Sequence, residues 1–376
     1  MKILMILSNS FVFDARVYYE TEALVKAGHE ITVLAWDRGN NCALQEKRDG
    51  VSIVRIPNIN YPRILNHDFL KLKYWRDHAF RKAIDIYKTE KFDIVHCHDF
   101  DTLSVGVRLK KELGIFLVYD AHEIWGYIHS MIPLRLLRGY FLRQERKLLR
   151  SVDRIITVSQ PLKDYFDKFS KTPALIIMNC KPIGNPEYES PANDNVTFLY
   201  VGVLDQIRFI TGMIDAVKPI PDVSLIIGGV GKKSFIEKMQ KRITGSGNIK
   251  FVGSIALTEV LTMTRRADVV VCMLDPKHKL ARIGLPNKFF ESLVCGRPII
   301  VSKNTYLGDL VDKLACGLAI GYGINPLRQA LIKLRDDAGL RTSLGKNALE
   351  QARKEFNWQA QRKLLIDFYN TLLSSN

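Results

Sequence analysis

At 376 residues the chain is longer than one hydrophobic core usually supports, so two domains are expected. Hydrophobic residues at 47% and charged residues at 25% exclude a disordered, collagenous or membrane-spanning chain. A formal net charge of +16 makes the surface attract anions, which leaves phosphate-bearing small molecules, anionic lipid headgroups and nucleic acid as partners to be separated by other features.

In chain order, MKILMIL reads as a buried strand and not as a signal peptide, because the apolar run is short and no small-residue cleavage site follows. No later stretch reaches the roughly 18 apolar residues of a membrane span, so the expected location is the cytoplasm. VYYETEALVKAGHE is amphipathic at helical spacing and ITVLAW is the next strand. A basic helical stretch leads to the strand DIVHCHD. A helix around LSVGVRLKKEL, the strand FLVYDAHE, a second basic helix and the strand RIITVSQ come next, and LIIMNCK closes this half. KPIGNPEYESPANDN then carries Pro, Gly, Asn and Ser with few large apolar residues, the composition of a linker. A second alternating series begins at VTFLYVGV and runs through VSLIIGG, IKFVGS, DVVVCML, RPIIVS and LACGLAIG, with helices between and a helical C-terminal segment. Alternation of this kind predicts an α/β chain with two Rossmann-like halves, each built on a mostly parallel sheet.

Ligands of open α/β sheets bind beyond the carboxyl ends of the strands, so those loops are searched first. The loop after the first strand lacks the G-x-G-x-x-G fingerprint of dinucleotide sites; its Asp14 and Arg16 are read either as a helix cap with a surface cation or as acceptor-binding groups. HCHDFD places His96, His98, Asp99 and Asp101 at one strand end, and YDAHE places Asp120, His122 and Glu123 at the next, together suggesting a polar acceptor pocket. The two histidines of His-x-His share a face, yet no third ligand stands at a diagnostic spacing, so no metal is expected. The six cysteines are far apart, with no CxxC, and read as buried reduced thiols. In the second half, Gly202 lets backbone amides approach a phosphate, and the guanidinium of Arg208 suits a diphosphate. Gly228, Gly229 and Gly231 repeat the theme ahead of Lys232 and Lys233. ARIGLPNKFFESLVCGRPIIVS carries a turn at Gly284, Leu285 and Pro286, Asn287 as the expected N-cap, and a helix start at Lys288 able to hold an anion. Glu291, one turn on, is placed to accept from the hydroxyls of a ribose, or else is a cap or surface glutamate.

TEALVKAGHEITVL, DIVHCHD, VYDAHE, DRIITVSQPLKDYF, FLYVGVL and above all GLPNKFFESLVCGRPIIVS resemble the retaining, nucleotide-sugar-dependent glycosyltransferases of family four, which have the GT-B fold. The resemblance covers nearly the whole chain and implies two Rossmann-like domains facing each other across a cleft. It implies an N-terminal acceptor-binding domain over 1–180, a linker over 181–195, a nucleotide-sugar-binding domain over 196–355, and a helix over 356–376 that crosses back onto the N-terminal domain. It implies that Glu291 holds the donor ribose and that Gly284, Leu285, Pro286, Asn287 and Lys288 touch the donor sugar and diphosphate. Gly202, Val203 and Gly229 line the same donor site, and the base lies at Ser254 and Ile255. Arg208 stands where such enzymes carry a lysine for the leaving diphosphate, and His98 is the second histidine of the family's His-x-His strand end, near the reacting sugar. Val203 replaces an arginine common in relatives, and Ile283 replaces a second glutamate common eight positions before the one matching Glu291.

The function expected is hexosyl transfer from a nucleotide-diphosphate sugar to a hydroxyl acceptor, with retention and without a metal or other cofactor, in cell-surface polysaccharide or glycolipid synthesis. The acceptor side is assigned Asp14, Arg16, His122 and Glu123, and catalysis His98 and Arg208. PLRLLRGYFLRQERKLLRSV and FLKLKYWRDHAFRKAI are basic and amphipathic, which suits a lipid-linked acceptor and peripheral contact with the anionic inner face of a membrane. A non-catalytic nucleotide-sugar-binding protein and a GT-B sugar-nucleotide epimerase are the alternatives. Nucleic acid is not expected, since the basic residues are spread over both halves without a recognition motif.

Overall fold

The computed structural model describes residues 1–12, 14–58, 68–128, 135–184 and 187–373. The chain divides into two compact units, one of residues 1–178 with 362–376 and the other of residues 179–361.

The first unit runs β1 (Lys2–Ile6), α1 (Ala15–Lys26), β2 (Glu30–Asp37), β3 (Gln45–Arg48), β4 (Val51–Pro57), α2 (Asp68–Thr89), β5 (Ile94–His98), α3 (Asp99–Leu113), β6 (Phe116–Ala121), α4 (Trp125–Ile128), α5 (Arg135–Leu149), β7 (Arg154–Thr157), α6 (Gln160–Phe166) and β8 (Leu175–Ile176). Among the described residues its sheet has eight strands in the order β3-β4-β2-β1-β5-β6-β7-β8, parallel except for β3 against β4. Strands flanked by helices on both faces must be apolar throughout. Accordingly Leu4, Met5, Ile6, Val95, Cys97, Leu117 and Tyr119 are all fully buried. The β3–β4 hairpin is not among the elements expected from the sequence. Its Asp49-Gly50 turn, with φ of 51° and 82°, is nevertheless the hairpin signal of a two-residue loop. Its outer strand, QEKR, is charged and so resists pairing with another chain.

The second unit runs β9 (Val196–Leu204), α7 (Ile210–Val217), β10 (Val223–Gly231), α8 (Lys233–Ile243), β11 (Ile249–Phe251), α9 (Leu257–Arg266), β12 (Val269–Cys272), α10 (Lys279–Ile283), α11 (Asn287–Val294), β13 (Ile299–Ser302), α12 (Tyr306–Leu314), β14 (Gly317–Ile320), α13 (Ile324–Asp336) and α14 (Ala338–Lys354). Its parallel sheet, in the order β11-β10-β9-β12-β13-β14, packs Phe198, Tyr200, Leu225, Ile227, Val269, Val271 and Ile300 into one core with Leu327 and Leu331 of α13. A last helix, α15 (Trp358–Leu373), begins in the second unit and contributes its later residues to the first.

The stretch 181–195, expected as a linker, is fastened to the second unit. Arg297, 2% exposed, donates through Nη1 to the Glu189 carbonyl at 2.7 Å and through Nη2 to the Arg265 carbonyl at 2.6 Å. Asn193 donates to the Arg266 carbonyl at 2.9 Å and to Asp268 at 2.8 Å. A polar composition marks the stretch as loop; buried carbonyls on a guanidinium fix where it lies.

No helix among the described residues is long and apolar enough to cross a membrane. Of the basic stretch at 133–152, Pro133 and Leu134 lie outside the described residues. The remainder is mostly α5, whose Tyr140, Arg143, Arg146 and Lys147 are exposed, as is Arg150 just after it, while Phe141, Glu145 and Leu149 are buried. Glu145 accepts from the hydroxyls of Tyr119 at 3.3 Å and Tyr165 at 3.5 Å. Burial outweighs these bonds and pushes its carboxyl from 4.5 up to about 7. A raised carboxyl binds its proton more tightly in the fold, so its contribution is complete below pH 4.5 and is lost as the pH rises through about 7. Glu145→Gln keeps the acceptor oxygen and removes the titration. Relative to wild type, the variant should gain stability by up to about 3 kcal/mol between pH 4.5 and 8 in urea unfolding. Parallel pH profiles for the two proteins would rule out this titration.

Candidate functional site

In the second unit, the ends of β9 and β10 set the geometry. Gly202 and Gly229 face each other in register with φ of 152° and 136°. A Cβ on Gly229 would lie 1.7 Å from the Gly202 carbonyl oxygen, so only glycine allows the two backbones this approach. The Gly229 amide donates to the Gly253 carbonyl at 2.7 Å, which joins the turn after β11 to the same rim. In that turn Ile255 packs against Gly228, whose added Cβ would be 2.8 Å from it, while Ser254 is exposed.

Above Gly202 sits the ammonium of Lys288, 2.4 Å from where a Cβ would be and 4.5 Å from the Tyr200 ring centroid. Tyr200 is itself locked by its hydroxyl, which donates to the Val203 carbonyl at 2.6 Å. Burial lowers the Lys288 pKa and nearby Arg208 adds to that, while Glu291 opposes it. A cation desolvated beside another cation gains from an arriving anion. Arg208 is not a free fork: its guanidinium is paired with Asp205, which also accepts from the Arg208 amide at 3.1 Å. A diphosphate must compete with Asp205 for Arg208, so Lys288 carries more of the anion-binding potential than the sequence suggests. Glu291 lies 4.0 Å from the Lys181 ammonium; burial raises its pKa, and Lys181 and Lys288 work against the rise.

The expected N-cap is corrected. Asn287 is the first residue of α11, and the cap position belongs to Pro286, with no side-chain capping bond. The extended backbone that proline imposes (φ −67°, ψ 149°) ends the loop, so the helix starts one residue earlier and leaves its first amides to an outside acceptor. The Gly284 amide donates to the Leu280 carbonyl at 2.8 Å, closing α10, and Leu285 and Pro286 bridge the two helices, partly buried. Val203 is 46% exposed, and its partner Val230 is also exposed.

In the first unit, the ends of β5 and β6 and the start of α1 meet. His98 and Asp120 are in register, with His98 Nδ1 3.1 Å from Asp120 Oδ2. His122 Nε2 is 2.7 Å from the same oxygen, and His96 Nε2 is 3.8 Å away. His96 stacks on His98 at 4.3 Å and meets the Tyr369 hydroxyl of α15 through Nδ1 at 2.6 Å. Burial pulls the His96 pKa down to about 4, and His98 adds to that. Burial would raise Asp120, yet His122, His96 and His98 together hold it well below the usual carboxylate range. Glu20 of α1, which the sequence does not single out, lies 4.0 Å from His98 Nε2. Burial and Asp120 push its carboxyl well up.

Asp14 caps α1, accepting weakly from the Val17 amide at 3.5 Å and from Asn9 at 2.9 Å. Arg16 reaches Asp14 at 3.5 Å and Asp99 at 4.0 Å; burial opposes its charge, but Asp99, Asp14, Asp120 and Glu20 outweigh that and hold it charged. Burial and then Asp99 raise the Glu123 carboxyl to about 7. The Asp14 oxygen that caps α1, Oδ1, is also the one that faces Arg16, while Oδ2 accepts from Asn9. Asp205, Lys181, Glu20 and Tyr369 lie outside the quoted motifs and Tyr200 is inside one without being singled out; each enters the site only through packing.

Two family models cover most of the chain: the one described as Glycosyltransferase Family 4 matches residues 15–179, and the one described as Glycosyl transferases group 1 matches residues 195–337. An uncharacterized glycosyltransferase of Methanocaldococcus jannaschii is 23% identical over 93% of this chain and 91% of its own. The structure of sucrose-phosphate synthase from Thermosynechococcus elongatus superimposes with a TM-score of 0.79 at 20% identity, covering 100% of both chains. That of HepE from Anabaena, in complex with UDP and glucose, does so with a TM-score of 0.74 at 16% identity over 99% of this chain and 100% of its own.

Proposed function

The chain belongs to the family-four-like glycosyltransferases of the GT-B fold, and from that premise we propose that it transfers a hexosyl group from a nucleotide-diphosphate sugar to a hydroxyl acceptor, with retention. The observation that carries the reading is the Lys288 ammonium over Gly202, with Arg208 beside it, at the ends of β9 and β10. Cleaving the bond between the anomeric carbon and the diphosphate leaves negative charge on the departing group, and pre-placed cations and amides stabilise it without reorganising. Lys288, Arg208 and the first amides of α11 fill that duty by side-chain and backbone charge. Glu291 receives the ribose hydroxyls, and the turn at Ser254 and Ile255 receives the base. UDP is the first nucleoside diphosphate to test, because the Anabaena structure holds UDP and glucose.

On the acceptor side, Asp14, Arg16, His98, His122 and Glu123 supply polar groups for a sugar hydroxyl, with His98 polarising the reactants. A lipid-linked acceptor accords with the exposed Arg143, Arg146 and Lys147 of α5 and Arg150 just after it, which would rest on an anionic surface beside Tyr140.

Thermal unfolding of the purified chain with UDP, GDP and ADP tests the donor half. One diphosphate should raise the midpoint by a few degrees at concentrations well above its Kd, and Arg208→Ala with Glu291→Ala should abolish the shift. No shift with any of them at millimolar concentration would sink the donor assignment. Sedimentation with vesicles containing phosphatidylserine, but not with neutral ones, checks the membrane contact; equal recovery from both would remove it.

A further inference from the structure

Lys181 opens the segment 181–195, and its neighbours fix where it stands. Its carbonyl accepts from the Trp358 amide at 3.0 Å, and Cys180 before it is fully buried. Trp358 begins α15, and Phe356 just ahead of it packs edge-on against Phe289 of α11, with ring centroids 5.8 Å apart. Glu291 stands on that same helix α11, so the backbone of Lys181 and the carboxyl of Glu291 are tied to one packed cluster of the second unit. From there the Lys181 ammonium comes to 4.0 Å from Glu291 Oε1, with the two side chains only 12% and 13% exposed. An open surface pair at this distance is screened by water and contributes little, whereas a pair this enclosed keeps much of its field.

We propose that Lys181 is a positioning residue for the donor nucleotide, its ammonium holding the Glu291 carboxylate open to the ribose hydroxyls. The role rests on the donor reading of Glu291. Burial drives the Glu291 carboxyl toward its neutral form, and of the charges that oppose this Lys181 acts most strongly, ahead of Lys288 one turn earlier on α11. The thiols of Cys272, at the end of β12, and Cys295, just past α11, also feel its charge; burial pushes both up, so they stay neutral near neutral pH. A protonated carboxyl would hold a hydroxyl by an uncharged bond, roughly half as strong as a charge-assisted one. Distance decides the division of labour. A lysine in direct hydrogen bond would occupy an oxygen that a ribose hydroxyl needs, as Asp205 occupies Arg208; at 4.0 Å the ammonium supplies charge and leaves the oxygens open. Lys288 stands over Gly202 on the diphosphate side, so the two lysines serve the two ends of one nucleotide.

Two measurements on the full chain test this, with wild type, Lys181→Met, Lys181→Arg, Glu291→Gln and the Lys181→Met, Glu291→Gln double variant. The first follows the unfolding midpoint against pH without ligand. A carboxyl raised above 4.5 in the fold contributes fully below that pH and loses the contribution as the pH rises through its folded pKa; without Lys181 the folded pKa stands higher and the loss is larger. The midpoint of Lys181→Met should therefore lie a few degrees below that of wild type at pH 8 and return toward it at pH 4.5. In the Glu291→Gln background the same substitution should show no such pH dependence. The second measurement is calorimetric titration with UDP and 2′-deoxy-UDP, and with the guanosine and adenosine pairs. Wild type and Lys181→Arg should prefer the ribose form by about 10-fold or more and Lys181→Met by no more than about 3-fold, while the 2′-deoxy form binds all three alike. An unchanged preference in Lys181→Met, a wild type blind to the 2′-hydroxyl, or a midpoint gap of equal size at both pH values overturns the role. A wild type that binds no diphosphate removes the donor reading itself and this role with it, even where the pH-dependent gap shows the ion pair to be real.

Discussion

Replacing Lys288 with alanine is expected to weaken binding of the preferred nucleoside diphosphate about 10-fold or more and to lower sugar transfer by about 100- to 1,000-fold. The magnitude follows from position. The ammonium stands over Gly202, which has no Cβ to exclude it, it is backed by the Tyr200 ring, and burial together with Arg208 already makes its charge costly. An arriving diphosphate relieves that cost, and the developing charge of bond cleavage relieves it further. Arg208→Ala should do less damage, because Asp205 already occupies its guanidinium. Calorimetric titration of the three proteins with the diphosphate that stabilises the wild type checks the order. If Lys288→Ala binds as tightly as wild type, the anion site lies elsewhere.

The second large effect concerns the fold of the donor unit. Gly229→Ala should destabilise the second unit by at least about 3 kcal/mol, lowering its unfolding midpoint by roughly 6–12 °C and abolishing nucleotide binding. The added Cβ would meet the Gly202 carbonyl oxygen at 1.7 Å and its carbon at 2.7 Å, both backbone atoms that cannot swing aside. Gly245→Ala is the control: its φ is also positive, at 78°, but nothing lies within 4 Å of the new Cβ. Strain alone should then cost about 1 kcal/mol. Similar midpoints for the two variants would mean that β9 and β10 do not approach as closely as described.

These two residues also show how far the sequence reaches. Glycine before Lys288's partner strand end, and lysine after Leu-Pro-Asn, are legible as a phosphate-binding pattern because backbone freedom and helix starts are local properties. The pairing of Arg208 with Asp205 was within reach too, three residues apart, but competition between an aspartate and a ligand is invisible without the rotamers.

The sequence by itself determined the α/β alternation, the positions of most strands and the strand ends that carry polar groups. Those follow from hydrophobic periodicity and from turn chemistry, which act over a few residues. It also carried the family motifs. Only the tertiary structure decided that the segment 181–195 is held by Arg297, that Pro286 and not Asn287 caps α11, and that Tyr369 reaches His96. The histidine pair of β5 shows the division most clearly. The sequence groups it with Asp120, His122 and Glu123 as a polar pocket; Glu20, on a helix that reads as ordinary amphipathic surface and core, joins them only in the fold. Spacing along the chain reports neighbours only when they share one element, and these are brought together by parallel strand register and by the packing of α1 on the sheet.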